Sequence, residues 1–262
     1  MSEFWRSSAV RHLETRRSSQ ELSCYRPHTH DAFSLGLVDA GSSVLTGSLG
    51  GGVRLLAGDV VVIPAGHVHD CNPDDGAWRY RMTHADQDWV ASLVTRGVSD
   101  ELFSRIGVVR RPALFELAGR WTDLVISDAP AWRIEDGLDE LLGALADATP
   151  EHEVPGRADP DLLVRLAPVL HRLRHDESNP ALGDLAELVG MTRPQLVRAV
   201  KRATGLAPLA WRQNARVAVA RRMLRDGTPI AETAAVLGFA DQSHLHRVFR
   251  AHVATSPGTY RG

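Results

Sequence analysis

Residues 185–191 read LAELVGM and residues 233–239 read TAAVLGF, two passes of one pattern at an offset of 48. Beyond them the offset becomes 49, so that Thr192 answers to Asp241, Leu196 to Leu245, Arg198 to Arg247, Pro208 to Pro257 and Trp211 to Tyr260. The second copy has gained one residue in the turn. Each copy is a helix with a small residue at its centre (Ala186, Ala234), a glycine at its end (Gly190, Gly238), a short turn and a second helix. Glycine lets the chain reverse and alanine lets two helices approach closely, which together make a helix-turn-helix.

The second helix of each copy begins with a capping residue. Thr192 followed by Gln195 fits the S/T-x-x-E/Q box, and Asp241 is an N-cap type in the equivalent place. Pro194 falls in the first turn, where its missing N–H costs nothing. The inward stripe is Leu196, Ala199, Val200 and Ala203 in copy one, and Leu245, Val248 and Phe249 in copy two. The opposite face carries Arg193, Pro194, Val197 and Arg198, with Arg202 one turn on, and in copy two Gln242, Ser243, His246 and Arg247. These side chains suit base edges and phosphates, and they cluster toward the helix end that enters a major groove. The expectation is two recognition helices at about 193–203 and 242–252. A long helix from Pro208 to Arg225 joins them, so that they read grooves ~34 Å apart on double-stranded DNA.

The charge distribution agrees. The chain of 262 residues has a formal net charge of -2, which by itself argues against nucleic acid. Residues 161–262, however, hold fourteen Arg and Lys201 against eight acids, a balance of +7, which leaves -9 on the first 160 residues. A basic back of this size fits phosphate-backbone binding. The hydrophobic fraction of 44% excludes a disordered chain, and no apolar run approaches a membrane span. The N-terminus MSEFWRSSAVRHLETRRSSQ lacks an apolar signal region, and Cys24 and Cys71 have neither a disulfide-framework nor a zinc-finger spacing. A cytoplasmic protein is expected.

Residues 25–83 read as short strands, among them FSLGLV, VRLL and VVVIP, separated by turn signals at Asp39–Gly41, Gly50–Gly52, Gly58-Asp59 and Pro73–Gly76. This spacing suggests a small barrel or sandwich. Two amphipathic stripes follow: Leu114, Leu117, Ala118, Trp121, Leu124 and Val125, then Ile134, Leu138, Leu141, Leu142 and Leu145. The segment 132–147 is the candidate dimerisation helix, with Leu138, Leu141, Leu142 and Leu145 on its seam; packing onto the barrel is the competing reading. DATPEHEVPGRADP, residues 147–160, reads as a linker. The expected division is therefore 1–146, a sensing and dimerisation domain; 147–160, a linker; and 161–262, a DNA-binding domain.

In the front domain His28 and His30 are an i, i+2 pair, which on a strand points to one face. His69 joins them from another strand, giving three imidazoles suited to Zn, Fe, Ni or Cu, so a divalent metal is one expectation. Hydrogen bonding of these histidines to an organic effector, or to each other, is the other. The run Trp78, Arg79, Tyr80, Arg81 lies on a strand with two of the four facing outward, and Tyr80 joins His28, His30 and His69 as an effector-pocket candidate.

Residues 178–262 resemble the DNA-binding domain of AraC/XylS-type transcription regulators. IAETAAVLGFADQSHLHRVFRAH…TSPGTYR carries the family's GF-x-D-x-S-x-[FL]-x-R-x-F…P-x-x-[YF]-R signature nearly intact, and LGDLAELVGMTRPQLVRAVKRATGLAP matches the first half, with Val200 where the family often has Phe. RPHTHDAFSLGLVDAG together with Gly58, Pro64, Gly66 and His69 resembles the cupin-like sensor domain of such regulators. The resemblance implies an α+β multi-domain chain, with an N-terminal cupin-like β-barrel bearing helices and a C-terminal all-α double helix-turn-helix. It implies promoter DNA, a small-molecule effector and RNA polymerase as partners, and a homodimer is the expected assembly. Metal-binding cupins add a carboxylate shortly after the H-x-H, where this chain has Ser34 and Leu35, and Asp31 points to the opposite face. The alternative reading, a metal-dependent dioxygenase or isomerase fused to a DNA-binding domain, meets that missing carboxylate. The N-terminal arm, with Phe4 and Trp5, reads equally as a pocket cover and as a disordered tail.

Overall fold

A computed structural model describes residues 2–11, 13–21, 25–47, 52–93, 100–155, 159–176 and 178–262. Cys24, most of the turn at Gly50–Gly52 and positions 156–158 of the expected linker lie outside the described residues. The chain divides into two compact units, residues 1–24 with 29–156, and residues 25–28 with 157–262.

Among the described residues the first unit is built on ten strands: β1 (Ser2–Arg6), β2 (Glu14–Gln20), β3 (Phe33–Ala40), β4 (Ser42–Gly47), β5 (Gly52–Leu56), β6 (Val60–Ile63), β7 (His69–Pro73), β8 (Trp78–Ala85), β9 (Arg105–Val109) and β10 (His152–Pro155). They form an antiparallel seven-stranded sheet in the order β1-β2-β8-β3-β6-β9-β10 and an antiparallel three-stranded sheet, β5-β4-β7. The large sheet is buried on both faces, which explains the unbroken apolar run of β6. Val60 and Val62 face one core with Leu35 and Leu37, while Val61 and Ile63 face another with Val38 and Tyr80. Leu45 and Leu55 of the small sheet belong to the second core, so that core is the interior between the sheets.

The other face is covered by helices. α1 (Gln87–Leu93) precedes a helical hairpin of α2 (Pro112–Ile126) and α3 (Ala131–Ala146). The two stripes predicted from sequence are its buried faces, and Trp121 donates its indole N–H to the carbonyl of Ile134 at 3.1 Å. Leu138, Leu141, Leu142 and Leu145 are at most 4% exposed within this core. They are therefore not an intermolecular seam: their apolar surface is already spent against the sheet and α2. The side of α3 that meets solvent carries Trp132, 63% exposed, among charged residues.

Three further expectations are corrected. Strands begin before residue 25, because β1 and β2 pair from Ser2↔Ser18 to Arg6↔Glu14, so the N-terminal arm is an edge strand. The stretch 147–160 is not wholly linker, because His152–Pro155 pairs with β9 and extends the first unit past residue 146. No strand spans 28–30, and His28 packs with the second unit, so the alternation argument for the His28–His30 pair does not apply.

The second unit contains α4 (Pro160–His175), α5 (Leu182–Glu187), α6 (Arg193–Thr204), α7 (Pro208–Arg225), α8 (Ile230–Val236), α9 (Gln242–Val253) and α10 (Pro257–Arg261). Copy one packs α4 on α5 and α6 through Leu166, Val169, Leu185, Leu196 and Val200. In copy two α7 takes the place of α4, beneath α8 and α9. Each repeat is thus three helices, with a scaffold helix before each helix-turn-helix.

Candidate nucleic-acid interface and effector pocket

The two turns are built alike because their residues are alike. Gly190 has φ +62° and Gly238 φ +65°, the left-handed conformation that glycine adopts at no steric cost. α6 starts with both halves of the capping box, the Gln195 N–H donating to Thr192 Oγ1 at 3.4 Å and the Thr192 N–H to Gln195 Oε1 at 2.8 Å. α9 starts with the His244 N–H donating to Asp241 Oδ1 at 2.6 Å. These caps satisfy amides the helix leaves open and set the direction in which each helix leaves its turn.

On α6 the side chains of Arg193, Pro194, Arg198 and Arg202 are exposed and Val197 is half-buried; on α9 Gln242, Ser243 and Arg247 are exposed and His246 is half-buried. Leu196 and Leu245 are fully buried beneath them. Arg202 makes a surface ion pair with Asp159 at 3.6 Å, an interaction that solvent weakens. Arg193 lies close over Gly183, where an added Cβ would meet its Nη2 at 2.9 Å. Sequence reasoning missed a pair of arginines on the scaffold helices. Arg165 of α4 donates to the Val189 carbonyl at 3.1 Å, and Arg216 of α7 to the Gly238 carbonyl at 3.1 Å. Each scaffold helix thereby holds the turn of its own repeat, a relation that no local motif announces.

In the first unit the interior face of the large sheet can be read row by row from its register. Glu14, His84, Ser34 and Ile63 form one row; Arg16, Met82, Gly36 and Val61 the next; Ser18, Tyr80 and Val38 the third; Gln20 and Trp78 the last. Trp78 and Tyr80 point inward, whereas Arg79 and Arg81 face out. Arg81 forms a fork with Asp39, with contacts of 2.8 and 3.0 Å. An anionic ligand inside the barrel therefore does not meet Arg79 or Arg81.

At the polar end of the interior three imidazoles come together: the His30 ring centroid is 4.9 Å from His69 and 4.4 Å from His84. His69 Nδ1 is hydrogen-bonded to the His67 carbonyl at 2.9 Å, and burial pushes the His69 pKa down to about 4, so the ring is neutral at physiological pH. His84 Nδ1 and Ser34 Oγ are hydrogen-bonded at 2.8 Å. Cys71, on the same strand as His69, is half-buried; desolvation and then Asp70 push its thiol up to about 12, which makes it a poor nucleophile. His28, packed with the second unit, stacks on Tyr25 with 5.7 Å between centroids, its Nδ1 hydrogen-bonded to the Arg26 carbonyl at 2.8 Å. His84 was legible as the inward residue four places after Tyr80. Arg16 was not, because ETRRSSQ has none of the apolar alternation of a strand.

Comparison with known proteins agrees with this architecture. A family model described as an AraC-like ligand binding domain matches residues 13–153, more than half of the chain, and one described as a helix-turn-helix domain matches residues 185–262. The chain is 25% identical over 241 residues to the uncharacterized HTH-type transcriptional regulator YbfI of Bacillus subtilis, covering 89% of this chain and 86% of that one. It is 30% identical over 153 residues to the transcriptional activator NphR of a Rhodococcus species, covering 55% of this chain and 45% of that one. The crystal structure of ToxT from Vibrio cholerae with an unsaturated fatty acid bound shares the fold, with a TM-score of 0.63 at 13% identity over 97% of this chain and 96% of that one. No helix among the described residues is long and apolar enough to cross a membrane.

Proposed function

The chain belongs to the AraC family of ligand-responsive, DNA-binding transcription regulators, and from that premise we propose how it reads DNA. α6 and α9 enter successive major grooves of promoter DNA, with Arg193, Pro194, Val197, Arg198 and Arg202 contributed by the first and Gln242, Ser243, His246 and Arg247 by the second. The observation that carries this reading is the repeat itself: two capped helices present exposed Arg198 and Arg247 at equivalent positions over buried leucines. Arginine at such a place reads guanine or clamps phosphate.

The first unit takes a small-molecule effector in the interior lined by His30, His69 and Tyr80, with His28 on the segment leading to it. Effector binding shifts the population between DNA-binding arrangements, which requires the effector to prefer one of them energetically. The protein acts from the cytoplasm as a homodimer, together with RNA polymerase, and carries no catalytic activity; the named relatives are transcription regulators. The dimer surface is other than the buried leucines of α3.

A divalent metal on His30 and His69 is a second proposal for the front unit. His69 engages Nδ1 with a backbone carbonyl, which leaves Nε2 as the ligating nitrogen in the arrangement typical of metal-bound imidazoles. Purified protein with near-zero metal content and no thermal shift on adding divalent cations removes it.

A gel shift on promoter DNA tests the main reading. Arg198→Ala and Arg247→Ala each lose specific binding, by about 1–3 kcal/mol for a lost guanine contact. If both variants bind as wild type does, these helices do not read bases.

A further inference from the structure

We propose that the effector is a small monocarboxylate with an apolar body, its head held by the indole N–H of Trp78 and the guanidinium of Arg16 inside the first unit. This deepens the effector-binding reading above and rests on it.

Trp78 is 3% exposed, and its Nε1 has no hydrogen-bond partner among the described residues. Indole is a donor only, so nothing but an acceptor meets that N–H, and a buried donor left open is a standing penalty that a native interior rarely tolerates. Trp78 lies on Tyr80 in a stacked pair, with 4.2 Å between ring centroids and 22° between planes. On the other side the Arg16 guanidinium carbon is 5.2 Å from the Tyr80 ring centroid. The strand register makes this a ladder: Arg16, Ser18 and Gln20 of β2 stand beside Met82, Tyr80 and Trp78 of β8. A cation and an open donor therefore flank one aromatic ring on the same buried face.

This donor set selects its ligand. A guanidinium repels ammonium heads and prefers a planar carboxylate, to which it offers two parallel N–H bonds. The apolar body of such a ligand finds matching walls in Val38, Leu55, Ile63 and Ile106, buried in the same core. Room for the apolar body comes from Met82 and Gly36. Gly36 has no side chain in the Arg16 row, and the flexible end of Met82 occupies that place, where an added Cβ would meet its Cε at 3.2 Å. Methionine repacks readily around an incoming group.

The test uses the full-length protein and three matched probes of one chain length, octanoate, 1-octanol and octylamine, with benzoate, benzyl alcohol and benzylamine as an aromatic set. Calorimetric titration and thermal unfolding are expected to show binding and stabilisation by at least one carboxylate, with neither its alcohol nor its amine doing the same. Trp78→Phe keeps the stacking ring but removes the donor, and weakens that carboxylate about tenfold, the scale of one lost hydrogen bond to a charged group. In wild type the indole N–H proton resonance missing from Trp78→Phe moves downfield on adding the carboxylate. Arg16→Gln weakens the carboxylate further. The proposal is overturned if no carboxylate binds at millimolar concentration, if alcohol or amine binds as tightly, or if Trp78→Phe leaves the affinity unchanged. Promoter binding through Arg198 and Arg247 is measured without any of these probes, so the DNA-reading proposal stands or falls separately.

Discussion

Arg212 of α7 donates through Nη1 to the carbonyl oxygen of Leu173, in the last turn of α4, at 2.6 Å, from a side chain that is 1% exposed. Its Nη2 serves the carbonyls of Asp176 and of Ser178, the latter at 2.8 Å. These are acceptors that the end of a helix leaves open, and a cation there also meets the negative end of the helix dipole. Burial pulls the Arg212 pKa below its ordinary range, while the nearby Asp176 carboxylate opposes that shift. One side chain thus fastens the scaffold helix of the second repeat to that of the first.

Replacing Arg212 by methionine keeps much of the buried stem and strips three carbonyls of their donor. Urea unfolding is expected to show a loss of about 3 kcal/mol, with lysine recovering only part of it, because one ammonium cannot span the same acceptors. Unchanged stability in the methionine variant would mean that water or neighbouring groups satisfy those carbonyls.

At Gly190 an added Cβ meets nothing within 4 Å, so the cost of alanine lies in the positive φ alone. Gly190→Ala is expected to lose about 1–2 kcal/mol, and Gly190→Asn clearly less, since asparagine visits the left-handed region. Equal losses for the two would point to a steric cause instead.

Leu141 is fully buried in the core shared by the sheet, α2 and α3. Leu141→Ala should destabilise the first unit by about 2–5 kcal/mol. Equilibrium sedimentation of the folded variant should match wild type. A variant that folds as well as wild type but loses self-association would restore the seam that the structure argues against.

His252 of α9 is buried, and that burial lowers its pKa from 6.5; Nδ1 donates to the Val248 carbonyl at 2.8 Å, which opposes the shift, and the Arg26 charge adds to it. The unfolded chain therefore takes up the proton first as pH falls. The stability from neutral His252 is complete above about pH 6.5 and is lost progressively below it. Thermal unfolding between pH 7.5 and 5 should show a steeper fall for wild type than for His252→Gln. Parallel curves would assign the acid sensitivity to other groups.

The second unit was largely legible in the sequence. α6 and α9 end one residue beyond the expected 203 and 252, and both caps form where Thr192 and Asp241 place them. Short helices with N-caps, a turn glycine and a 3.6-residue stripe are specified by neighbours in the chain, and duplication states the pattern twice. The first unit was legible only where its strands are apolar. FSLGLV and VVVI were readable, whereas β2, with Glu14, Thr15, Arg16, Ser18 and Gln20 all buried, looks like a polar loop until β8 pairs with it. Its buried hydroxyls find partners only across the sheet, as Thr15 and Thr83 do at 2.8 Å.

The sequence by itself determined the double helix-turn-helix, the exposed faces of its two second helices, and the split into an acidic front and a basic back. All three rest on residues close in the chain or on charge counts that need no coordinates. Only the tertiary structure decided which way the leucine stripe of α3 faces, that His84 and Arg16 join the interior of the first unit, that β10 lengthens that unit, and that Arg212 locks one scaffold helix to the other. Each depends on residues far apart in sequence, and a side chain's burial, partner and protonation are set by the neighbours that folding brings to it.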